Sequence, residues 1–437
     1  MSKGAILVYL LAYGGSAVAL FDPFIGVLIY IGFAILRPEA IWGFALGVGN
    51  NFSRFIALAL LAGWMFRGFG NWQFGRAKGI VIALLCFLGW MIISAVPAPR
   101  QDVAWGMIEP LAKTVLPFIV GMTVITSIKQ LKALAWVIAL SHGYVAYELN
   151  LVYYRDGLNQ VQEYGFAGMD NNCVAITMAT GAGLAFFLGL QAPRLWQKLL
   201  AFASAALMVH VVMLAFSRGG MLALVICGII SFFLIPKRPV HYFYFAVAVA
   251  VALRLAGEQV VERFMTTFAE EGARDGSAQS RIDMWKDCLE IMARFPILGV
   301  GPHHFPIVAP QFGWPPGKEA HSLWLQIGAE VGVPGLAFLL AFYGICCVKL
   351  LPLLFRRGRD IDPWYQDTAR MVIASLVAFA ISAQFVSLVG LEVPYYVVLL
   401  GAGTLKLYST AASPVGQSVA VQPLVLAAPR LPGFILH

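Results

Sequence analysis

The sequence is poor in charge: 12% of its 437 residues are Asp, Glu, Lys or Arg, about half the share of a soluble domain. With 60% hydrophobic residues and a mean hydropathy of +0.79, this excludes a soluble enzyme. Cysteine is scarce too. Of six, Cys86, Cys173, Cys227, Cys346 and Cys347 lie in or beside apolar runs and Cys288 alone sits in a polar stretch, so there is neither a disulfide framework nor a CxxC metal site. Metal-ligand spacings, a Ser/His/Asp hydrolase signature, nucleic-acid motifs and 20–50-residue repeats are also missing. The N-terminus has no small-residue cleavage site before Asp22, so the first apolar run reads as a retained anchor.

What remains is a set of apolar runs near the length of a bilayer crossing, about 20 residues each. They fall at 55–69, 79–96, 111–127, 131–149, 172–190, 198–216, 219–235, 241–257, 321–350, 369–390 and 394–409. Segment 5–36 is broken by Asp22-Pro23 and reads as either one crossing or two. Arg67/Arg76/Lys78, Lys129/Lys132, Arg194/Lys198, Lys237/Arg238 and Lys349/Arg356/Arg357/Arg359/Arg370 fall in every second loop. The positive-inside rule makes those loops cytoplasmic. The expected fold is therefore all-α: a polytopic bundle of about twelve transmembrane helices, with 5–36 crossing once and both ends inside. Residues 1–257 form the N-terminal bundle, 258–320 a long periplasmic loop, 321–409 the C-terminal helices and 410–437 a cytoplasmic tail.

The loop carries six Lys/Arg against nine Asp/Glu, a net −3, and long loops cross regardless of charge. Ser280-Arg281-Ile282-Asp283 has the spacing of a helix N-cap, and Ile282, Trp285, Leu289 and Met292 follow at helical intervals. This predicts an amphipathic helix on the membrane surface, ending at Phe295-Pro296, with Gly299-Val300-Gly301-Pro302 as a turn.

Few polar residues offer chemistry. Arg218, between apolar runs and followed by Gly219-Gly220, reads equally as a snorkelling interface arginine or as an anion clamp whose fork matches phosphate oxygens. Arg281, aligned at i+3 and i+7 with Met284 and Cys288, either leans to the membrane-facing side of that helix or is a solvated partner of Asp283 or of a nearby acid. His321 heads a membrane helix beside the polar loop, where a neutral imidazole can take a proton from a hydroxyl. His303 and His304 offer sugar contacts or simply pack beside Pro302. His142 and His210 are core residues. Asp360-Ile361-Asp362 has a DxD form but lies in a short Arg-rich loop, and Asp102 and Glu109 suit an interfacial helix as well as a carboxylate pair.

Ser217-Arg218-Gly219-Gly220, the long loop, Gly299-Val300-Gly301-Pro302 and Ala320-His321-Ser322-Leu323-Trp324-Leu325 together resemble the O-antigen ligase and polymerase superfamily of bacterial envelope glycan enzymes. The strongest part runs from about 170 to 345. Phe21-Asp22-Pro23-Phe24 and Leu36-Arg37-Pro38 are similar to the branch of exosortase-associated O-glycosylation ligases. The resemblance implies a glycosyltransferase of the bacterial inner membrane with its site facing the periplasm. It would move a glycan from an undecaprenyl-diphosphate carrier to a hydroxyl of a lipid, polysaccharide or protein acceptor, with no cofactor, metal, nucleotide sugar or nucleic-acid partner. Arg218 and Arg281 would then hold the diphosphate, and His321 would activate or orient the acceptor hydroxyl. His303-His304 departs from the small or amide residues usual there. A fixed pair of cations at the outer interface suits a lipid diphosphate arriving laterally, and attack opposite the leaving group implies inversion at the anomeric carbon. The rivals are a polymerase using the same carrier and a secondary transporter. Transporters show internal repeats and helices broken at mid-membrane, whereas here the polar features gather at one loop.

Overall fold

The computed structural model describes residues 3–46, 52–235, 276–355, 362–387 and 391–411, together with residues 239–240, 242–243, 245–247, 250 and 254. Most of the expected 241–257 crossing, part of the 258–320 loop, Asp360 and Ile361, and the tail beyond Ala411 lie outside the described residues. The described chain is all-helical. Its main helices are α1 Gly4–Phe21, α2 Pro23–Leu36, α3 Phe52–Phe66, α4 Lys78–Ala95, α5 Gln101–Val124, α6 Ile128–Asp156, α7 Asn171–Gln191, α8 Leu195–Leu214, α9 Arg218–Leu234, α10 Gly276–Arg294, α11 Leu323–Phe355, α12 Pro363–Ser382 and α13 Glu392–Ala411. Seven candidate spans among the described residues are long and apolar enough to cross a membrane, and α2, α3 and α9 are shorter apolar helices. This is a multi-pass membrane protein.

Helix ends are set by local chemistry. Asp22 caps α2, accepting from the Phe24 N–H, with Pro23 in the first turn; Ser127 and Gln130 form a capping box on α6, which stops at Gly157 in the left-handed region. Asp170 caps α7 and Ser217 caps α9. Each cap satisfies an otherwise orphaned N–H. The central helix is α7, with 89% of its apolar window buried. It is built of small residues: Gly181 lies against Met208, Gly183 against Cys227 and Gly189 against Phe202. In lipid, such close approach is what holds helices together.

Segment 5–36 folds back on itself rather than running through as one broken helix, which favours two crossings over the expected one. At Asp22 the backbone turns extended and the chain folds back, so that Gly15 lies against Ile29 and Gly26 against Ala19. The short polar break between two apolar halves makes a hairpin rather than a kink. α1, with 18 residues, and α2, with 14, are about 27 Å and 21 Å long at 1.5 Å per residue, each more than the half of a hydrocarbon core about 30 Å thick that a single interrupted span would leave it. In consequence, the start of α1, beside Trp42, shares one bundle end with Leu36, whereas a single crossing would have separated them.

Among the described residues, basic groups of three of those loops gather at the opposite end. The Arg67 side chain donates to Phe21 O, Lys349 to Arg76 O, and Lys132 lies over the Trp364 ring. Cysteine labelling separates the hairpin from a single crossing. In a variant without native cysteines, Phe21→Cys and Gln73→Cys, both at exposed positions, are expected to label from the same side of the membrane and Gln311→Cys from the other. Protection of position 21 from both sides would restore the single crossing.

α10 also differs from expectation. It begins at Gly276, so Ser280 lies inside it and Arg281 in its second turn. One of its faces packs on protein, while Leu289, on the face expected to be apolar, is exposed. Met284, Cys288 and Ile291 are buried with Phe305, Ala309, Ala320 and Ala329. The helix stops at Arg294 as the Phe295-Pro296 pair requires.

Candidate active site

The long apolar run 321–350 is interrupted. α11 contains Gly332 at φ 75°, ψ 176°, a backbone state that only glycine adopts freely. The break releases carbonyls that a continuous helix would have used. Val300 N–H donates to Ala329 O (3.1 Å) and Gly301 N–H to Glu330 O (2.8 Å), while Val333 N–H donates to Pro296 O (2.9 Å). Gly299 has φ +65°, and a Cβ there would overlap the backbone of Glu330. The Gly299-Val300-Gly301-Pro302 motif is thus a close-packed docking strip on an opened helix as well as a turn. Trp90 Nε1 donates to Val331 O and Ser94 Oγ to Leu298 O, tying α4 to both partners.

Below this strip lies Glu330, 1% exposed. Its Oε2 accepts from His303 N–H (2.9 Å) and its Oε1 from Phe305 N–H (3.2 Å) and Gln326 Nε2 (2.9 Å). The Gln326 amide also donates to Glu319 and accepts from Ala320 N–H. One buried carboxylate and one amide therefore fix the two segments that carry His303 and His321. Glu319 Oε1 stands 3.8 Å from His303 Nδ1, and burial raises the Glu319 carboxyl above the usual carboxylate range. An isolated Glu and Gln spaced i, i+4 in an apolar run are a legible signal of such a role; Glu330 and Gln326 are residues that motif reading passes over.

His321 precedes the α11 start, where Ser322 Oγ accepts from Leu325 N–H. It is half-buried, with φ +52°. His303 has φ +56° and Phe216, two residues before Arg218, φ +47°. Strained non-glycine backbone of this kind persists where its surroundings over-determine it. Burial, with Arg281 and Lys318 nearby, pushes the His321 imidazole down to about 4, against an opposing pull from Asp170. Neutral imidazole is the form that can accept a proton.

The arginines come from two other elements. Ser217 Oγ caps α9 and donates to Asn172 Oδ1 (2.8 Å), and Asn171 Nδ2 donates to Ala215 O, so the start of α9, with half-buried Arg218, is locked to the start of α7. Gly219 packs against Phe385, whose ring stands 6.2 Å from Trp285, and Trp285 Nε1 donates to Ala320 O. That chain of contacts brings Arg218, Arg281 and His321 to one end of the bundle.

Residues 203–340 match the family model described as O-antigen ligase. The match runs from α8 into α11 and contains Arg218, Arg281, His303, His304 and His321, which supports the superfamily resemblance read from the motifs. Residues 3–149 match a family of unknown function, DUF5935. No curated protein matches the chain. Within the matched region His304 is buried, 1% exposed: its Nε2 accepts from Arg100 N–H (3.1 Å), and its Nδ1 therefore donates to Pro302 O (2.8 Å). His303 is the accessible one of the two, with 44% of its side chain exposed.

Other candidates disperse. Asp102 pairs with Arg100, the residue just before α5, and Glu109 with Lys113, all exposed, so each carboxylate has its own basic partner. Asp362 caps α12 at the bundle end away from His321. His210 contacts Asn150. His142 is buried with Nδ1 on Ile138 O and no partner on Nε2.

Proposed function

We propose that this O-antigen ligase-type membrane protein transfers a glycan from an undecaprenyl-diphosphate carrier to an acceptor hydroxyl at the periplasmic face of the inner membrane, with inversion and without a metal. The observation that carries the reading is the convergence of a neutral, half-buried imidazole with Arg281 and the Ser217-Arg218 helix start at one bundle end, inside the segment that matches O-antigen ligases. The carrier's diphosphate lies between Arg218 and Arg281, whose planar forks pair with its oxygens. The acceptor oxygen attacks the anomeric carbon from the face opposite the diphosphate. As the new C–O bond forms, its proton passes to His321, the C–O bond to phosphate breaks, and the diphosphate leaves with the electron pair. Charge grows on the leaving oxygen in that step, and fixed cations beside it stabilise the transition state. His303, above Glu319, lines the acceptor side. Asp362 of the DxD run caps a helix at the other bundle end.

The test is the glycan profile of a deletion strain, paired with transfer by purified protein in EDTA. Carrier-linked chains are expected to accumulate while acceptor-attached chains vanish, and the purified protein to transfer normally without divalent cations. Unchanged acceptor attachment in the deletion strain removes the function, and magnesium-reversible loss of transfer removes the metal-free mechanism. Loss of glycan polymers with short chains still attached assigns the polymerase reaction instead.

A further inference from the structure

The segment that precedes α7 is a tight turn that its own sequence supports poorly. Phe166 and Met169 exchange both backbone hydrogen bonds at 2.9 Å, and the two residues between them, Ala167 and Gly168, have φ +52° and +81°. That is the backbone of a two-residue turn with both central residues left-handed, which normally requires Asn, Asp or Gly at the first position. Here the first position is alanine, and an outside group holds it. Arg37 Nη1 donates to Ala167 O at 2.7 Å, and Arg37 Nη2 pairs with Glu392 at 3.2 Å. Arg37 stands at the end of α2, itself left-handed at φ +46°. Asp170, immediately after the turn, caps α7 through Cys173 N–H (2.8 Å) and acts electrostatically on His321. Asn171 and Asn172 grip Ala215 and Ser217 beside Arg218.

We propose that Arg37 is a positioning residue for the transfer site: by holding the Ala167 carbonyl against Glu392 it fixes the 165–170 turn, and so seats Asp170 near His321 and the Asn171-Asn172 pair against the start of α9. This deepens the reading of His321 as the proton acceptor and rests on it. It also gives the N-terminal segment, which matches a family of unknown function, a structural route to the chemistry. The bond crosses 130 residues of sequence, and the ion pair 355, so three separate parts of the chain meet at one guanidinium. Lysine cannot replace it, because one ammonium lacks the two-armed fork that serves carbonyl and carboxylate together.

The readout is the titration of His321 by NMR in the full-length protein labelled with ¹³C-histidine, its signal assigned by subtraction with His321→Gln. The charged groups acting on His321 are Arg281 from α10, Lys318 from its own loop and Asp170 from the α7 cap. Of these only Asp170 draws its titration upward, so Asp170→Asn is expected to move it to lower pH. Arg37→Ala is expected to move it in the same direction, Arg37→Lys by less, and Arg37→Ala added to Asp170→Asn to move it no further. In complemented deletion cells the ratio of acceptor-attached to carrier-linked chains is expected to fall about ten- to a hundredfold for Arg37→Ala, the scale of a small misplacement of reacting groups. If Arg37→Ala does not fold, Glu392→Gln, which removes one arm's partner, is expected to give the smaller shift of the same sign. An unmoved His321 titration in Arg37→Ala and Glu392→Gln, or in Asp170→Asn, overturns the proposal. Full transfer by His321→Ala alongside a shifted titration in Arg37→Ala would instead remove His321 as the base and leave Arg37's grip on Asp170 standing.

Discussion

His321→Ala is expected to lower transfer by about 10²–10⁴-fold, the usual contribution of a general base, while leaving carrier binding near the wild-type level. Arg218→Lys and Arg281→Lys should do the reverse in part: each keeps its charge but loses the fork, so carrier affinity falls together with rate. The distinction is read from donor affinity and single-turnover transfer in equally folded protein. Near-wild-type transfer by both lysine variants would refute the clamp, and near-wild-type transfer by His321→Gln would remove proton acceptance while keeping orientation. The pH profile adds a sign. Because burial and two nearby cations hold His321 down to about 4, against an ordinary 6.5, kcat/KM, which reports the free protein, should hold across pH 5–6 and fail only near 4. Stability follows the same window. Between 6.5 and 4 the unfolded chain binds a proton at His321 that the folded chain refuses, so folding stability contributed by this residue declines as pH drops through that range and is constant below it.

The largest structural effect is expected at Glu330. Glu330→Ala leaves the His303 and Phe305 N–H groups and one arm of Gln326 without their acceptor, and each unsatisfied buried donor costs about 1–3 kcal/mol. A loss of about 3 kcal/mol is expected, seen as a lower midpoint for thermal unfolding in detergent. Activity should fall as well, because the same carboxylate fixes the loop bearing His303 and, through Gln326, the one bearing His321. Glu330→Gln is not a rescue: one of its two terminal atoms becomes a donor and faces a backbone N–H that is also a donor. Midpoints for both variants that coincide with the wild type would show that the strip at 299–305 is held by its backbone bonds to Ala329 and Glu330 alone.

Membrane residence, the helical bundle and the gathering of the described basic residues of three loops at one end were legible in the sequence because each depends on local composition and on the cost of burying charge in lipid. The grouping of Arg218, Arg281 and His321 was legible only as an ordered set of motifs, since residues up to 103 apart in sequence must be brought together by α7, α10 and α12. Tertiary structure alone decided the rest. Whether Asp22-Pro23 kinks a helix or reverses it depends on what Ala19 and Gly26 pack against. The break at Gly332 depends on the Gly299–Gly301 strip that occupies its released carbonyls, and His304 differs from its neighbour because Arg100 N–H reaches its ring. Arg37 is an unremarkable charge in an Arg-Pro pair until the fold sets Ala167 and Glu392 on either side of it. Local physics chooses helices and their ends; long-range contacts choose which of several locally allowed backbones is kept, and the strained residues at 167, 216, 303 and 321 mark where those contacts prevailed.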